Sequence, residues 1–332
     1  MKWVSGIRFR IKKGHEITMK YMLKKITTLI ITLLLVSVVT FVAFSVIPGD
    51  PALAKLGTYA TPERVEALRE EMGLNKSLPE RYVDWLSGAV RGDFGESYQY
   101  AGTPVSELIN QRLQVTAILA VMAFMIILVI SIPMGIVSAR KEGTWIDVFI
   151  NLFTQVTMAI PAFFLGMILT YFFGLTLKFF QPGKFVMPQE NLGSCIRYLI
   201  FPAIAIAIPK IAMVVKFLRN SVLSEVKKDY VRTAYSKGNR TKKVLYIHVF
   251  QNALIPVITF IAMVAAEILA GSIVVEQVFS VTGMGRLLVT AISNRDYPIV
   301  QAVVLYITVI VIIINFIVDI LYQFVDPRVR TE

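Results

Sequence analysis

Long apolar runs bounded by clusters of charge dominate the chain. A bilayer core of about 30 Å requires roughly 20 apolar residues of helix. Ile26–Ile47 meets that length inside a stretch, 26–49, that is free of charge. Leu113–Ser138, Val148–Leu177, Tyr198–Leu218, Ala253–Val275 and Pro298–Tyr322 follow as further spans. The third is long enough to tilt, or to bend at Pro161. The fourth is interrupted by Pro202, Pro209 and Lys210. The fifth contains Glu267, and the sixth carries Asn315 and Asp319 near its end. The expected fold class is an all-α membrane protein with six transmembrane helices. The first run is about twice the length of a signal-peptide core, and no A-x-A cleavage site follows it, so it is read as a span. After it the chain turns at Pro48-Gly49-Asp50-Pro51.

Two connections are too long to be plain turns. In the loop 48–112, Thr61-Pro62 is an N-cap followed by proline at the first helical position. Val65, Leu68 and Met72 then share one face. Pro79–Ala89 groups Tyr82, Trp85 and Leu86 before Gly92-Asp93-Phe94-Gly95 turns the chain. In the loop 219–252, Ser221–Lys237 lacks a helix breaker and sets Val222, Val226, Tyr230 and Thr233 near one face. Gly238-Asn239 stops it, because both residues tolerate a left-handed conformation. A second helical piece, Thr241–Asn252, leads into the fifth span. Helix, glycine stop and helix make a knob that fits a groove on a soluble partner; the alternative is a basic loop lying on lipid.

Composition agrees with the spans. The 332 residues are 56% hydrophobic and 17% charged, with a mean hydropathy of +0.66. A soluble domain carries about 25% charge, so most soluble enzymes, disordered chains and disulfide-rich secreted domains are excluded. One cysteine, Cys195, cannot form an intramolecular bridge, and two histidines, His15 and His248, leave no histidine metal cluster. The net charge of +12 is concentrated in residues 1–25 and 216–248, which flank apolar runs. That placement fits membrane topology better than nucleic-acid binding. The Lys/Arg bias puts both termini, the Arg140–Lys141 turn and 219–252 in the cytoplasm. Residues 48–112, with seven Lys/Arg and ten Asp/Glu, face outside.

Candidate chemistry is sparse. A carboxylate near the bilayer middle is costly unless paired or wetted, so Glu267 is a functional candidate by default. It either lines a path or inter-subunit gate, or it is a structural partner of Lys210 or a protonated acid bonded to a neighbouring helix. Lys210 equally has the length to snorkel toward the cytoplasm. Gly271 permits close helix approach or an unwound turn. The aromatic run from Phe163 to Phe173 reads as packing surface. No HExxH, GxSxG or GxxxxGK[ST] pattern occurs. An intramembrane enzyme and a fused ATPase are therefore disfavoured. A stand-alone secondary transporter, the remote alternative, would leave the knob unexplained and the usual internal repeat missing.

Asp229-Tyr230-Val231-Arg232-Thr233-Ala234-Tyr235-Ser236-Lys237-Gly238, followed by Asn252-Ala253-Leu254-Ile255-Pro256, resembles the EAA loop of binding-protein-dependent ABC importer permeases, specifically the oligopeptide/dipeptide/nickel branch. Pro48–Pro51, Gly92–Gly95, Arg112-Leu113, Ile132–Gly135, Ile160–Phe163, Gly271–Glu276, Gly283-Met284-Gly285, Arg295-Asp296 and Asp326-Pro327-Arg328 match the same branch in order, over residues 19–332. Each motif alone is weak; the ordered set is specific. Arg232-Thr233-Ala234 stands where the motif has Glu-Ala-Ala, a change usual in the peptide branch. Tyr235 stands where many relatives are basic. Residues 1–18 extend beyond the usual start, and Met19 or Met22 is the expected initiator.

The resemblance implies a type I ABC importer permease fold in a bacterial or archaeal cell membrane. It divides the chain into 1–25 (basic N-terminal segment), 26–47 (first span), 48–112 (extracellular loop), 113–325 (core, with the coupling loop 219–252) and 326–332 (cytoplasmic tail). It implies a second homologous permease, two ABC ATPase subunits and an extracellular solute-binding protein as partners, besides the lipid bilayer and without nucleic acid. It implies no catalysis and no cofactor in this chain, ATP and Mg being bound by the ATPases. Asp229, Tyr230, Arg232, Thr233, Ala234, Lys237 and Gly238 are the implied ATPase-coupling residues, and Glu267, Gly271 and Lys210 the candidates for the path or gate. The implied cargo is an oligopeptide or dipeptide, with nickel or a metal chelate as the alternative.

Overall fold

The computed structural model describes residues 2–46, 50–100, 102–240 and 243–325. The side chains of residues 1–22 and Asp319, together with Pro48-Gly49, Thr241 and the 326–332 tail, lie outside that description. The described chain is helical: α1 (Lys2–Val46), α2 (Pro51–Leu56), α3 (Pro62–Glu71), α4 (Leu78–Val90), α5 (Val105–Arg140), α6 (Trp145–Ala159), α7 (Ala162–Leu169), α8 (Leu192–Val226), α9 (Asp229–Ser236), α10 (Phe250–Val278), α11 (Met284–Ser293) and α12 (Tyr297–Val325). Among the described residues five helices are long and apolar enough to cross a membrane: Leu23–Val46, α5, α8, Val244–Val278 and Tyr297–Val318.

The third expected span is a broken one. Trp145–Ala159 and Ala162–Thr176 meet at 96°. The residue before a proline is driven out of the helical region, and Ile160 is extended (ψ 120°), as is Pro161 (ψ 143°). The bend therefore falls where the sequence places it, and it is sharp enough to redirect the chain.

The fourth span differs from expectation. Pro202 and Pro209 do not interrupt it; both lie inside one helix of 35 residues. In an apolar setting neighbouring helices and small backbone adjustments absorb the missing N–H. At 1.5 Å per residue α8 is about 52 Å long, well beyond the hydrocarbon core. The expected helix Ser221–Lys237 is consequently two pieces. Val222 and Val226 end α8, and Lys228 becomes extended (φ −74°, ψ 150°) as the N-cap of α9. The second helical piece leads into the fifth span, as expected. A π-helical turn, Val244–Val249, runs directly into α10, which continues through Pro256. The helix α11 is not anticipated by the sequence reading.

Two compact units are present. The first comprises residues 1–113 and 286–313. Within it Tyr82 and Trp85 of α4 pack on Phe41 of α1 at 5.4 and 5.8 Å between ring centroids, and Ser37 shares a 2.8 Å hydrogen bond with the Tyr82 hydroxyl. The Ser77/Glu80 capping box starts α4, and Thr61 caps α3. Asp50 caps α2 and holds Arg69 of α3 at 2.6 Å. Asp296, fully buried, accepts from Ser97 Oγ (2.5 Å) and Gln99 N (3.0 Å).

Among the described residues the second unit comprises 114–285 and 314–325. Its core lines one stripe of α5 (Val115, Leu119, Ala123, Ile127) and a broad face of α8, where Ala203, Ala205, Ala207 and Ala212 are buried. Small residues let membrane helices approach closely, and α8 packs against α6, α7 and α10.

Candidate functional site

The cavity between helices. Lys210 sits at the midpoint of α8 and Glu267 on α10. Their side chains form an ion pair. The pair lines an open cavity of about 440 Å³, whose other walls are the α6–α7 break at Pro161, Ile206 and Pro209 of α8, and Gly271 one turn beyond Glu267. Glu267 is half exposed whereas Lys210 is 20% exposed, so the carboxylate is the more accessible partner. All three intramembrane residues singled out by sequence are thus brought together, and Lys210 does not snorkel away from Glu267. Gly271 departs from the reading given to it. It is helical, and a Cβ there would meet nothing within 4 Å. It widens the cavity rather than permitting close approach or unwinding.

The knob. In α9, Val231 and Ala234 are buried while Asp229, Arg232, Thr233 and Lys237 face solvent. Gly238 takes φ +78°, a conformation that favours glycine, and the Asn239 side chain donates to the Ala234 carbonyl at 3.0 Å. These two residues close the helix end. Tyr230 is not a free contact. Its hydroxyl donates to Glu225 Oε1 at 2.8 Å and accepts from Asn252 Nδ2 at 3.3 Å. Burial first, then the Glu225 carboxylate, push its ionisation up to about 12, so it remains a donor. Asn252 also donates to the His248 carbonyl at 2.7 Å, and Lys228 pairs with Glu225 at 2.6 Å. Tyr230 therefore ties α9 to the end of α8 and to the π-helical turn before α10. Ser221 adds a second tie, donating to the Ala253 carbonyl at 2.8 Å.

Two buried carboxylates hold the frame. Asp147, at the start of α6, receives both arms of the Arg219 fork at 2.7 Å. It also accepts from Ser138 Oγ (2.6 Å), Gly143 N (3.1 Å) and Asn151 Nδ2 (2.8 Å). Glu276, fully buried at the end of α10, accepts from Thr116 Oγ1 at 2.7 Å and Gly285 N at 2.8 Å. Thr116 in turn accepts from Met284 N at 2.8 Å. A Cβ on Gly283 would lie 2.5 Å from the Glu276 carboxylate, and one on Gly285 would collide with the Ile273 Cα. The glycines flanking Met284 make room for a buried carboxyl group. Among the described residues no group of three or more His, Cys, Asp or Glu is placed to hold a metal ion.

The knob and the cavity with its charged pair are thus joined by two long helices, α8 and α10. Comparison with known families decides where this arrangement belongs. Residues 131–331 match the family described as binding-protein-dependent transport system inner membrane component, and residues 18–120 match that family's N-terminal membrane component. The chain belongs to this family. The permease is 34% identical over 310 residues to a probable peptide ABC transporter permease of Sinorhizobium fredii, covering 93% of this chain and 99% of that one. It is 36% identical over 312 residues to the oligopeptide transport system permease AppB of Bacillus subtilis, covering 93% and 99%. It is 37% identical over 310 residues to a putative peptide transport system permease of Brucella abortus, covering 93% and 98%. Membership makes the permease a multi-pass inner membrane component of an ABC system that depends on a solute-binding protein and ATPase subunits.

Sequence reading misses the roles of Asp147, Arg219, Glu225 and Glu276. In the sequence Arg219 counts only as topology charge, and its partner lies 72 residues away. Glu276 stands there only as one letter of a motif. The signal available is the pair of glycines, 283 and 285, close after an acid.

Proposed function

We propose that the permease carries peptides inward through the membrane, driven by ATPases that grip the α9 knob. The observation that carries the peptide reading is the match over 93% of the chain to relatives named as peptide and oligopeptide permeases. The knob reading is supported by the amphipathic α9. Its buried Val231 and Ala234 fix it to the body, which leaves Asp229, Arg232, Thr233 and Lys237 for a partner. In this reading both termini and the 219–252 loop are cytoplasmic, and the 48–112 loop faces a binding protein outside. A second homologous permease completes the path, and two ATPases beneath bind ATP and Mg. This chain catalyses no chemistry and holds no cofactor. Closure of the ATPases moves the knob, and the spans pass from inward-facing to outward-facing, a two-state element biased by nucleotide. Lys210, Glu267 and Gly271 line the path.

The test is a pull-down from native membrane followed by charge reversal. The complex should contain two ABC ATPases, a second permease and a binding protein whose ligand is a peptide. Arg232→Glu with Lys237→Glu should leave membrane insertion intact while uncoupling ATP hydrolysis from uptake. Uptake unchanged by both reversals refutes the knob assignment. A chain that purifies alone and moves solute without ATP refutes the importer.

A further inference from the structure

We infer that the Lys210–Glu267 pair is a latch opened by the two charged ends of a zwitterionic ligand, Glu267 receiving an ammonium and Lys210 a carboxylate. This inference rests on the peptide reading above and says which portion of a peptide the path recognises.

Apart from the pair, the side chains lining the cavity are apolar: they come from methionine, isoleucine, proline, alanine and glycine. Any discrimination by charge made there through side chains has to come from Lys210 and Glu267. The volume of about 440 Å³ lies in the range of small-ligand sites. The two charges stand on different helices, α8 and α10, so separating them requires only that side chains swing apart within the cavity. Glu267, the more exposed partner, is the first point of attack.

Charge accounting then selects the ligand. With the cavity empty of ligand, the pair makes one opposite-charge contact and has no net charge. A ligand bearing one ammonium and one carboxylate replaces that contact by two, and the net charge stays zero. A ligand with a blocked amino end brings a carboxylate alone. It then competes with Glu267 for Lys210, and a net negative charge is left in a low-dielectric setting. A ligand with a blocked carboxyl end brings the mirror-image excess. Both are disfavoured because an uncompensated charge is costly in such surroundings. Uncharged side chains of the cargo do not enter this accounting, so a latch of this kind accepts many neutral sequences provided both ends are free.

The experiment uses the complete complex of permeases, ATPases and binding protein in proteoliposomes. The probe is a mixture of peptides of two to five alanine and glycine residues, offered free, N-acetylated and C-terminally amidated, with uptake read by mass spectrometry. The wild-type complex should favour free peptides over each blocked form. In the double-neutral variant Lys210→Met/Glu267→Gln, which leaves no unpaired charge, both preferences should fall about tenfold, equivalent to about 1.4 kcal/mol. The same binding protein serves every variant, so its own selectivity cancels in the comparison. Glu267→Asp, which retains the charge but shortens its reach, should lower the amino-end preference and spare the carboxyl-end preference. A purely structural pair would not respond on one side only. Wild-type ratios in the double-neutral variant, or in Glu267→Asp should the former not assemble, overturn the inference while peptide uptake stands. Absence of any peptide uptake by the wild-type complex refutes the peptide reading itself, and this inference with it.

Discussion

Replacing Asp147 by alanine should be among the most damaging single changes in the protein. The carboxylate collects five donors: two from Arg219 and one each from Ser138, Gly143 and Asn151. The Asp147 side chain is 5% exposed and that of Arg219 17%, so solvent screens the pair weakly. Removing one partner of a buried ion pair costs about 3–5 kcal/mol, because the other charge is left uncompensated. At the lower end of about 2–4 °C per kcal/mol for chains of comparable size, the midpoint of thermal unfolding should fall by about 6–10 °C. Asp147→Ala combined with Arg219→Ala removes both charges and should cost less than the sum of the two single changes. Scanning fluorimetry in one detergent at one scan rate, on the four corners of the cycle, makes the comparison, since unfolding of such a protein is kinetically controlled. Additive effects, or a loss under about 1 kcal/mol for Asp147→Ala, would refute the assignment of a coupled, buried pair.

Gly271→Leu places its side chain in open space, so folding should be unaffected or slightly improved by removing a helical glycine. Uptake of bulky peptides should fall more than that of small ones, as competition uptake would reveal. Gly285→Ala drives a Cβ into the Ile273 backbone and to 3.0 Å from Glu276. Overpacking of that kind costs about 1–3 kcal/mol, and a melting midpoint within about 1 °C of wild type would contradict it. Tyr230→Phe removes the donor to Glu225, leaves a carboxylate with only Lys228 of the two partners described, and costs about 1–3 kcal/mol locally. Hydrogen exchange should rise in α9 while that in α5 stays unchanged. Burial tends to raise the Asp50 ionisation, but Arg69 and the backbone N–H groups of Ala52 and Leu53 outweigh it and hold it below its ordinary 3.8. Its contribution is therefore present above about pH 3.8 and is lost as pH falls through the lower folded value. Exchange at Ala52 and Leu53, corrected for intrinsic rate, should rise in acid, and Asp50→Asn should abolish that dependence.

What is legible in the fold is what is written locally. The apolar runs locate the five helices long enough to cross a membrane and the bent pair α6–α7, the Thr61-Pro62 cap locates α3, and Gly238-Asn239 locates the end of α9. Pro161 reads as a bend and is one. Pro202 and Pro209 read as interruptions and are not. The same residue type breaks a helix where the backbone can leave it, and is absorbed where neighbouring helices enclose it on α8. The charged residues are harder to read. Lys210 and Glu267 stand out because each lies in an apolar run, where any charge is conspicuous. Asp147 and Arg219 stand near span ends, where charges are ordinary, and only the packing of α6 on α8 distinguishes a buried pair from a topological one. Glu276 is concealed for a related reason: the donors described for it include a hydroxyl and a backbone N–H, which leave no compositional trace.

The continuity of α8 gives the protein a lever. Glu225, beside the knob, and Lys210, in the cavity, lie 15 residues apart on one unbroken helix, about 22 Å along its axis. A stiff rod of that length, tilted by about 5° at one end, carries the other through about 2 Å, similar to the helix shifts that switch packed proteins between states. Such a displacement is enough to pull a contacting ion pair open. A force applied beneath the membrane and a ligand seated within it would act on opposite ends of the same rigid body.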